Sequence, residues 1–97
     1  MFDKNYFEKE FSKQLDHFKK TSRQEAKVVF VMGGNNHIVL SDIEDLKDGW
    51  FSFWIEDGDF KSDKKSQVLM FSRYDQIRQI LFYPAKGDQA AGFRSGK

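Results

Sequence analysis

Four apolar residues, Phe7, Phe11, Leu15 and Phe18, recur at intervals of four, four and three near the start of the chain. An α-helix turns once in about 3.6 residues, so this spacing lays the four side chains along one stripe. Lys4, Glu8, Lys9, Lys13 and Asp16 fall on the opposite face. Asp3 has the side chain of an N-cap, and Lys19 and Lys20 stand where a helix dipole favours cations. The pattern predicts an amphipathic helix from about residue 3 to about residue 20, which must dock its aromatic stripe on a partner element.

The rest of the chain reads as that partner. After the polar connector Thr21-Ser22-Arg23-Gln24-Glu25, the β-branched run Val28-Val29-Phe30-Val31-Met32 ends at Gly33-Gly34-Asn35-Asn36. Glycine and asparagine accept the positive φ angles of hairpin turns. His37 to Leu40 leads out as a second strand, with an extension toward Leu46 left open, and Lys47-Asp48-Gly49 marks the next turn. The following six residues alternate: Phe51, Phe53 and Ile55 fall on one side, Trp50, Ser52 and Trp54 on the other. Aromatics on both sides imply either a central strand or a binding surface.

Residues 56–66 read as a polar hairpin loop and Val68 to Phe71 as a fourth strand. Tyr74-Asp75-Gln76-Ile77-Arg78-Gln79-Ile80-Leu81 suits a helical turn or a strand. The favoured reading is a tight turn near Tyr74, then a strand over residues 77–83 that Pro84 ends. Residues 85–97 read as a flexible tail, so residues 1–84 make a single helix-plus-β domain. The expected class is α+β, mainly β: an N-terminal amphipathic helix followed by a five-stranded antiparallel meander. That meander is expected to form a strongly bent sheet or a small SH3/Sm-like barrel.

A chain of 97 residues supports one core. Eleven Phe, three Tyr and two Trp can fill it, since each buried aromatic removes roughly 150–250 Å² from water. There is no cysteine, which excludes disulfides, thiolate metal sites and cysteine nucleophiles and points to a reducing, cytoplasmic setting. No apolar run reaches the roughly 18–20 residues of a membrane span, and Met1-Phe2-Asp3-Lys4 lacks a signal peptide's apolar core.

Chemistry is sparse. Asp57-Gly58-Asp59 and Asp42-Ile43-Glu44-Asp45 lack the ligand spacing of a calcium loop, and neither His17 nor His37 has a second ligand at metal-binding spacing. Ser41, Ser52, Ser66 and Ser72 lack a nucleophile elbow, and Gly33-Gly34 does not open a helix that would cradle phosphate. No metal, no cofactor and no enzymatic activity are expected.

The net charge of +1 hides a strong asymmetry. Residues 28–60 carry one Lys against seven acids, net −6, whereas residues 61–97 carry eight basic groups against three acids, net +5. The acids Asp42, Glu44, Asp45, Asp48, Glu56, Asp57 and Asp59 can face a basic protein or simply water. The cations Lys61, Lys64, Lys65, Arg73, Arg78, Lys86, Arg94 and Lys97 can contact phosphates or serve as a solvated loop and tail. Trp50, Trp54, Phe71 and Tyr74 are the aromatics able to stack on bases, with Trp54 and Tyr74 expected to be the exposed ones. Packing against the helix or sealing an oligomer interface are their ordinary alternatives.

The stretch Ile43-Glu44-Asp45-Leu46-Lys47-Asp48-Gly49-Trp50-Phe51-Ser52-Phe53 resembles the first signature of the Sm-like family, and Ser72-Arg73-Tyr74-Asp75-Gln76-Ile77-Arg78-Gln79-Ile80 resembles the second. One helix before five strands is the arrangement of that family's Hfq-like branch. Ser41 stands where the family carries a glycine that bends strand two, and Tyr74 follows Arg73 where the eukaryotic pattern has glycine. Where the Hfq-like branch has Tyr-Lys-His, this chain has Arg73-Tyr74-Asp75. The resemblance implies a small barrel that binds single-stranded RNA and forms a homo-oligomer through its edge strands. The nucleic-acid site expected on that reading comprises Trp54, Tyr74, Arg73, Arg78, Lys64 and Lys65. The alternative expectation is a protein-interaction module, a small regulator, inhibitor or assembly subunit, using the acidic segment and edge strands.

Overall fold

The computed structural model describes residues 2–57 and 66–85. Its helix begins as the sequence predicts: the backbone N–H of Tyr6 donates to Asp3 Oδ1 at 2.8 Å, the bond expected of an N-cap. The first part is a wide π-helical segment, Tyr6–Glu10, which runs directly into α1, Phe11–Ser22. Arg23 stops the helix in the left-handed region at φ 58°, and its N–H closes the last turn on the Lys19 carbonyl at 2.8 Å. Phe7 and Phe11 are buried, while Leu15 and Phe18 are half-buried toward the other end of the same stripe.

Five strands follow: β1 (Glu25–Met32), β2 (His37–Leu46), β3 (Trp50–Asp57), β4 (Ser66–Arg73) and β5 (Ile77–Ala85). They form one antiparallel sheet in the order β4-β3-β2-β1-β5. The first four strands are the expected meander. The fifth departs from it, pairing with β1 instead of β4, with Phe30 opposite Ile80 and Val28 opposite Phe82. The ambiguous stretch resolves into a 3₁₀ turn over Tyr74–Gln76 and then strand. Pro84 does not end that strand; it stands opposite Ala26 on a sheet edge, where a missing N–H is tolerated.

This connectivity bends the sheet. Arg73 ends one edge strand and Ile77 begins the other, so four residue steps, at most about 14 Å, join opposite edges of the sheet. Laid flat, five strands would put those edges about 19 Å apart. Register shifts supply the curvature. Two lie in β2, between Leu40 and Asp42 and between Ile43 and Asp45, and a third lies where β1 meets β5. The extra residues at Ser41 and Glu44 stretch the inward repeat to Leu40, Ile43 and Leu46, which keeps all three on the core side.

The helix covers the concave face. Phe7 lies with ring-centroid distances of 4.8 Å to Phe51, 5.9 Å to Phe30 and 5.9 Å to Tyr74. Phe11 and Phe18 reach Phe82 on β5. Phe30, Phe51 and Phe53 are fully buried beneath them. Phe11→Ala is therefore expected to destabilise the fold by ~3–5 kcal/mol in urea denaturation, as large aromatic truncations in cores do. A loss below about 1 kcal/mol would show that the helix is not docked through this ring.

Candidate interaction surface

Because β3 runs between β2 and β4, its alternation sorts two sets of aromatics onto two faces. Phe51 and Phe53 go to the core. Trp50, Ser52 and Trp54 go to the convex outer face, opposite Arg73, Phe71 and Leu69 of β4 respectively. On the other side of β3, Asp45 stands opposite Ser52 and Asp42 opposite Trp54. The outer face thus runs from an acidic β2 through an indole-bearing β3 to an apolar β4.

The large exposed side chains here are Phe71, at 63 % exposure, and Trp50, at 42 %. Their rings meet at 6.0 Å and 46°, a tilted pair open to solvent. Trp54 is only half-buried, and its Nε1–H donates to Glu44 Oε1 at 2.8 Å, so the indole is held rather than free. Tyr74 is the clear correction. It is 4 % exposed, lies almost parallel to Phe51 at 4.7 Å, and its hydroxyl donates to the Lys47 carbonyl at 2.7 Å. The 3₁₀ turn directs this residue inward, so its ring belongs to the core and is closed to a base.

Of the remaining expected site residues, the two that are described, Arg73 and Arg78, stand on opposite edge strands. Arg73 is exposed but its Nη2 contacts Asp75 at 2.7 Å. Arg78 is exposed on β5, at the other edge of the sheet. Lys64 and Lys65 lie outside the described residues, as do residues 86–97 of the tail expected over 85–97; its first residue, Ala85, instead ends β5. The two stretches that resemble Sm-like signatures do meet: Asp48, Gly49, Arg73, Tyr74 and Asp75 line a depression of about 380 Å³ with the start of the helix. Its cations are already matched, Lys4 by Asp48 at 3.4 Å and Arg73 by Asp75.

A cleft of about 470 Å³ opens between the helix and β1–β2, with Phe11, Leu15, Leu40 and Ile43 as apolar walls and Ser41 and Asp42 among its polar groups. The histidines are elsewhere. His17 lines a depression beside Phe18 and Phe82, and His37 follows the β1–β2 turn with Nδ1 3.0 Å from the Asn35 carbonyl. Among the described residues there is no group of three histidine, cysteine or carboxylate side chains that could hold a metal ion. No helix among them is long and apolar enough to cross a membrane. No protein-family model matches the chain, and no curated protein or solved structure matches it significantly.

Burial pushes the Tyr74 phenol above its ordinary value, and the carboxylates of Glu8 and Asp48 reinforce the shift. The folded chain therefore holds this proton more tightly than the unfolded chain does. Its contribution to stability is complete below about pH 10 and is lost as pH rises through the higher folded value. Tyr6 is raised in the same sense, by burial and then Glu10. Tyr74→Phe is expected to cost about 1 kcal/mol at neutral pH and to flatten the alkaline decline of the melting temperature. Phe71→Ala, by contrast, is expected to leave the neutral melting temperature nearly unchanged.

Proposed function

We propose that this chain is a non-enzymatic protein-interaction module, built as a small SH3/Sm-like barrel, that docks an extended polypeptide along β4. One observation carries the reading: β4 is an eight-residue sheet edge whose centre, Val68-Leu69-Met70-Phe71, is apolar and uncharged. Edge strands in monomers are usually blunted by charge, proline or a bulge, because their outer N–H and C=O groups template another strand. β5, the other edge, carries Pro84 and Arg78; the middle of β4 carries no such guard.

Several features support the barrel type. The three-residue turn joins opposite sheet edges, and an extra residue at Ser41 bends β2 where the Sm-like pattern uses glycine. Main-chain pairing along an edge provides affinity, and side chains on alternate residues provide selectivity. Phe71 and Trp50 are placed to do the latter. A second copy of the chain docking on this edge is one form of the same mode.

The RNA reading has weaker support. Of the residues it uses, Tyr74 is buried and Arg73 faces a carboxylate, while Lys64 and Lys65 lie outside the described residues.

The test is selection of extended peptides on the immobilised chain, with binding mapped by amide shifts. Binders are expected to shift amides of residues 67–73, and Phe71→Lys, which alters an exposed side chain, is expected to weaken them at least about tenfold. Light scattering should show any self-association dissolved by the same substitution. Absence of peptide binding and self-association, together with steeply salt-dependent binding of mixed-sequence single-stranded RNA, would overturn the reading in favour of RNA.

A further inference from the structure

The direction of the backbone groups along β4 follows from one hydrogen bond. At the β2–β3 turn the Lys47 N–H donates to the Trp50 carbonyl at 3.0 Å, so Trp50 turns its peptide groups toward β2. Successive residues of an antiparallel strand point these groups to alternate sides, and the β3–β4 register runs without a shift. Phe51, Phe53 and Ile55 therefore bond to Ser72, Met70 and Val68 of β4. Gln67, Leu69, Phe71 and Arg73 are left with N–H and C=O groups directed off the sheet, where no described strand meets them. Their side chains share the outer face, in the order polar, apolar, apolar, polar, evenly about Met70.

We propose that the polypeptide docked along β4 is the β4 of a second copy of this chain, antiparallel about a two-fold axis at Met70. The proposal rests on the docking reading above and names its partner. Opposed residues of an antiparallel pair share a face, so the axis must pass through a residue. Met70 is the midpoint of the four outward residues. With the axis there, Leu69 stands opposite the partner's Phe71 and Gln67 opposite the partner's Arg73, and every outward N–H meets a carbonyl. The apolar pairs cover Phe71, which is otherwise 63 % exposed. Arg73 has five N–H donors, enough to keep Asp75 and reach a glutamine amide oxygen. Moving the axis to Leu69 or Phe71 leaves one outward residue unpaired and sets an apolar side chain opposite a polar one.

The other edge suits a second copy less well. The Met32 N–H donates to the Asn36 carbonyl at 2.7 Å, and by the same alternation Ile80, Phe82 and Pro84 turn outward on β5. Pro84 has no N–H to offer, so a β4–β5 contact between copies loses a donor there. Pairing β4 with itself loses none and closes at two copies, whereas a head-to-tail contact propagates into a ring or a filament. Charge does not oppose the pair. The carboxylates of β2 lie two strands in from each edge, so five spacings, about 24 Å along the sheet, separate the two sets. That is well over twice the screening length of about 8 Å at physiological salt.

The test is sedimentation of the full chain over a range of concentrations, with hydrogen exchange read residue by residue. The mass is expected to rise from 11.4 kDa toward twice that value. A single strand pair is a small interface, so the midpoint is expected on the order of 10–100 μM. In dilute solution the amides of residues 68, 70 and 72 should exchange slowly and those of 67, 69, 71 and 73 fast. Above the midpoint all seven should be slow. Leu69→Pro removes one outward N–H and no bond to β3, and is expected to weaken the pair at least about tenfold. Phe71→Lys is expected to do the same by placing a charge at the seam, and it carries the test if the proline variant fails to fold. The chain has no cysteine, so Leu69→Cys mixed with Phe71→Cys under mild oxidation reports the register. Opposed residues lie about 5.5 Å apart, within disulfide reach, and the mixed disulfide is expected ahead of either like pair.

Two failures are distinguishable. A monomer at every concentration up to about 0.5 mM would overturn the self-docking, and selected peptides that still shift residues 67–73 would leave the docking reading standing. A dimer that both variants leave intact, with the outward amides still exchanging fast and peptides silent, would overturn both. A mass that climbs beyond two copies, or like-pair disulfides in excess, would overturn the closed pair about Met70.

Discussion

The contact on which the rest of this fold depends is the insertion of Phe7 into the concave side of the sheet. Its ring lies against Phe30 of β1, Phe51 of β3 and Tyr74 of the turn that joins β4 to β5. Those three come from parts of the chain 44 residues apart at the extremes, residues 30 to 74. A small sheet exposes too much apolar surface to be stable with one face open. The helix closes that face, and its aromatic stripe makes the closure possible. Asp3 fixes where the helix starts, and therefore which turn presents Phe7 and Phe11 to the sheet.

Curvature and free edges follow from the same geometry. The bulges of β2 turn a repeat of two into a repeat of three across Leu40, Ile43 and Leu46, so the strand bends without moving an apolar side chain to the outside. Bending brings the ends of β4 and β5 within reach of a three-residue turn, yet the described residues hold no ladder between the two strands. The sheet curls but keeps two edges. Tyr74 holds the corner: its ring stacks on Phe51 while its hydroxyl reaches the carbonyl of Lys47 at the end of the β2–β3 hairpin. A residue resembling a surface aromatic in one dimension is a structural clamp in three.

Local signals were legible. The helix stripe, the Asp3 cap, the Gly34 and Asn35 turn at φ 80° and 64°, and the alternation of β3 can all be read from neighbours in sequence. What could not be read depends on distant pairing. Val68-Leu69-Met70-Phe71 is apolar at every position, so its pattern alone cannot say that Phe71 faces outward and Met70 inward. The partner of Tyr74 lies 27 residues earlier, and its inward direction depends on a turn whose exit is set by the β5–β1 pairing. The pairing itself, in place of a fifth meander step, depends on bulges that a period count reads as broken alternation. The acidic excess of residues 28–60 was visible, but its concentration beside the indoles emerged only from the β2–β3 register.

That register bears on how the outer face behaves in water. An edge strand as apolar as β4 invites indiscriminate pairing, and the usual remedy is a charge on the strand itself. Here β4 carries its charge at one end, at Arg73, and the carboxylates Asp42, Glu44 and Asp45 stand two strands away on β2. At that distance they leave the edge chemically open but give the surface beside it a sign. Partners carrying acids or phosphates would approach these carboxylates against a repulsion. Partners carrying basic side chains approach down the gradient, and apolar residues between their charges can cover Phe71 and Trp50. On the docking reading proposed above, an uncharged edge beside the carboxylates of β2 would combine main-chain affinity with discrimination by sign, a division of labour that a lysine placed within β4 would abolish.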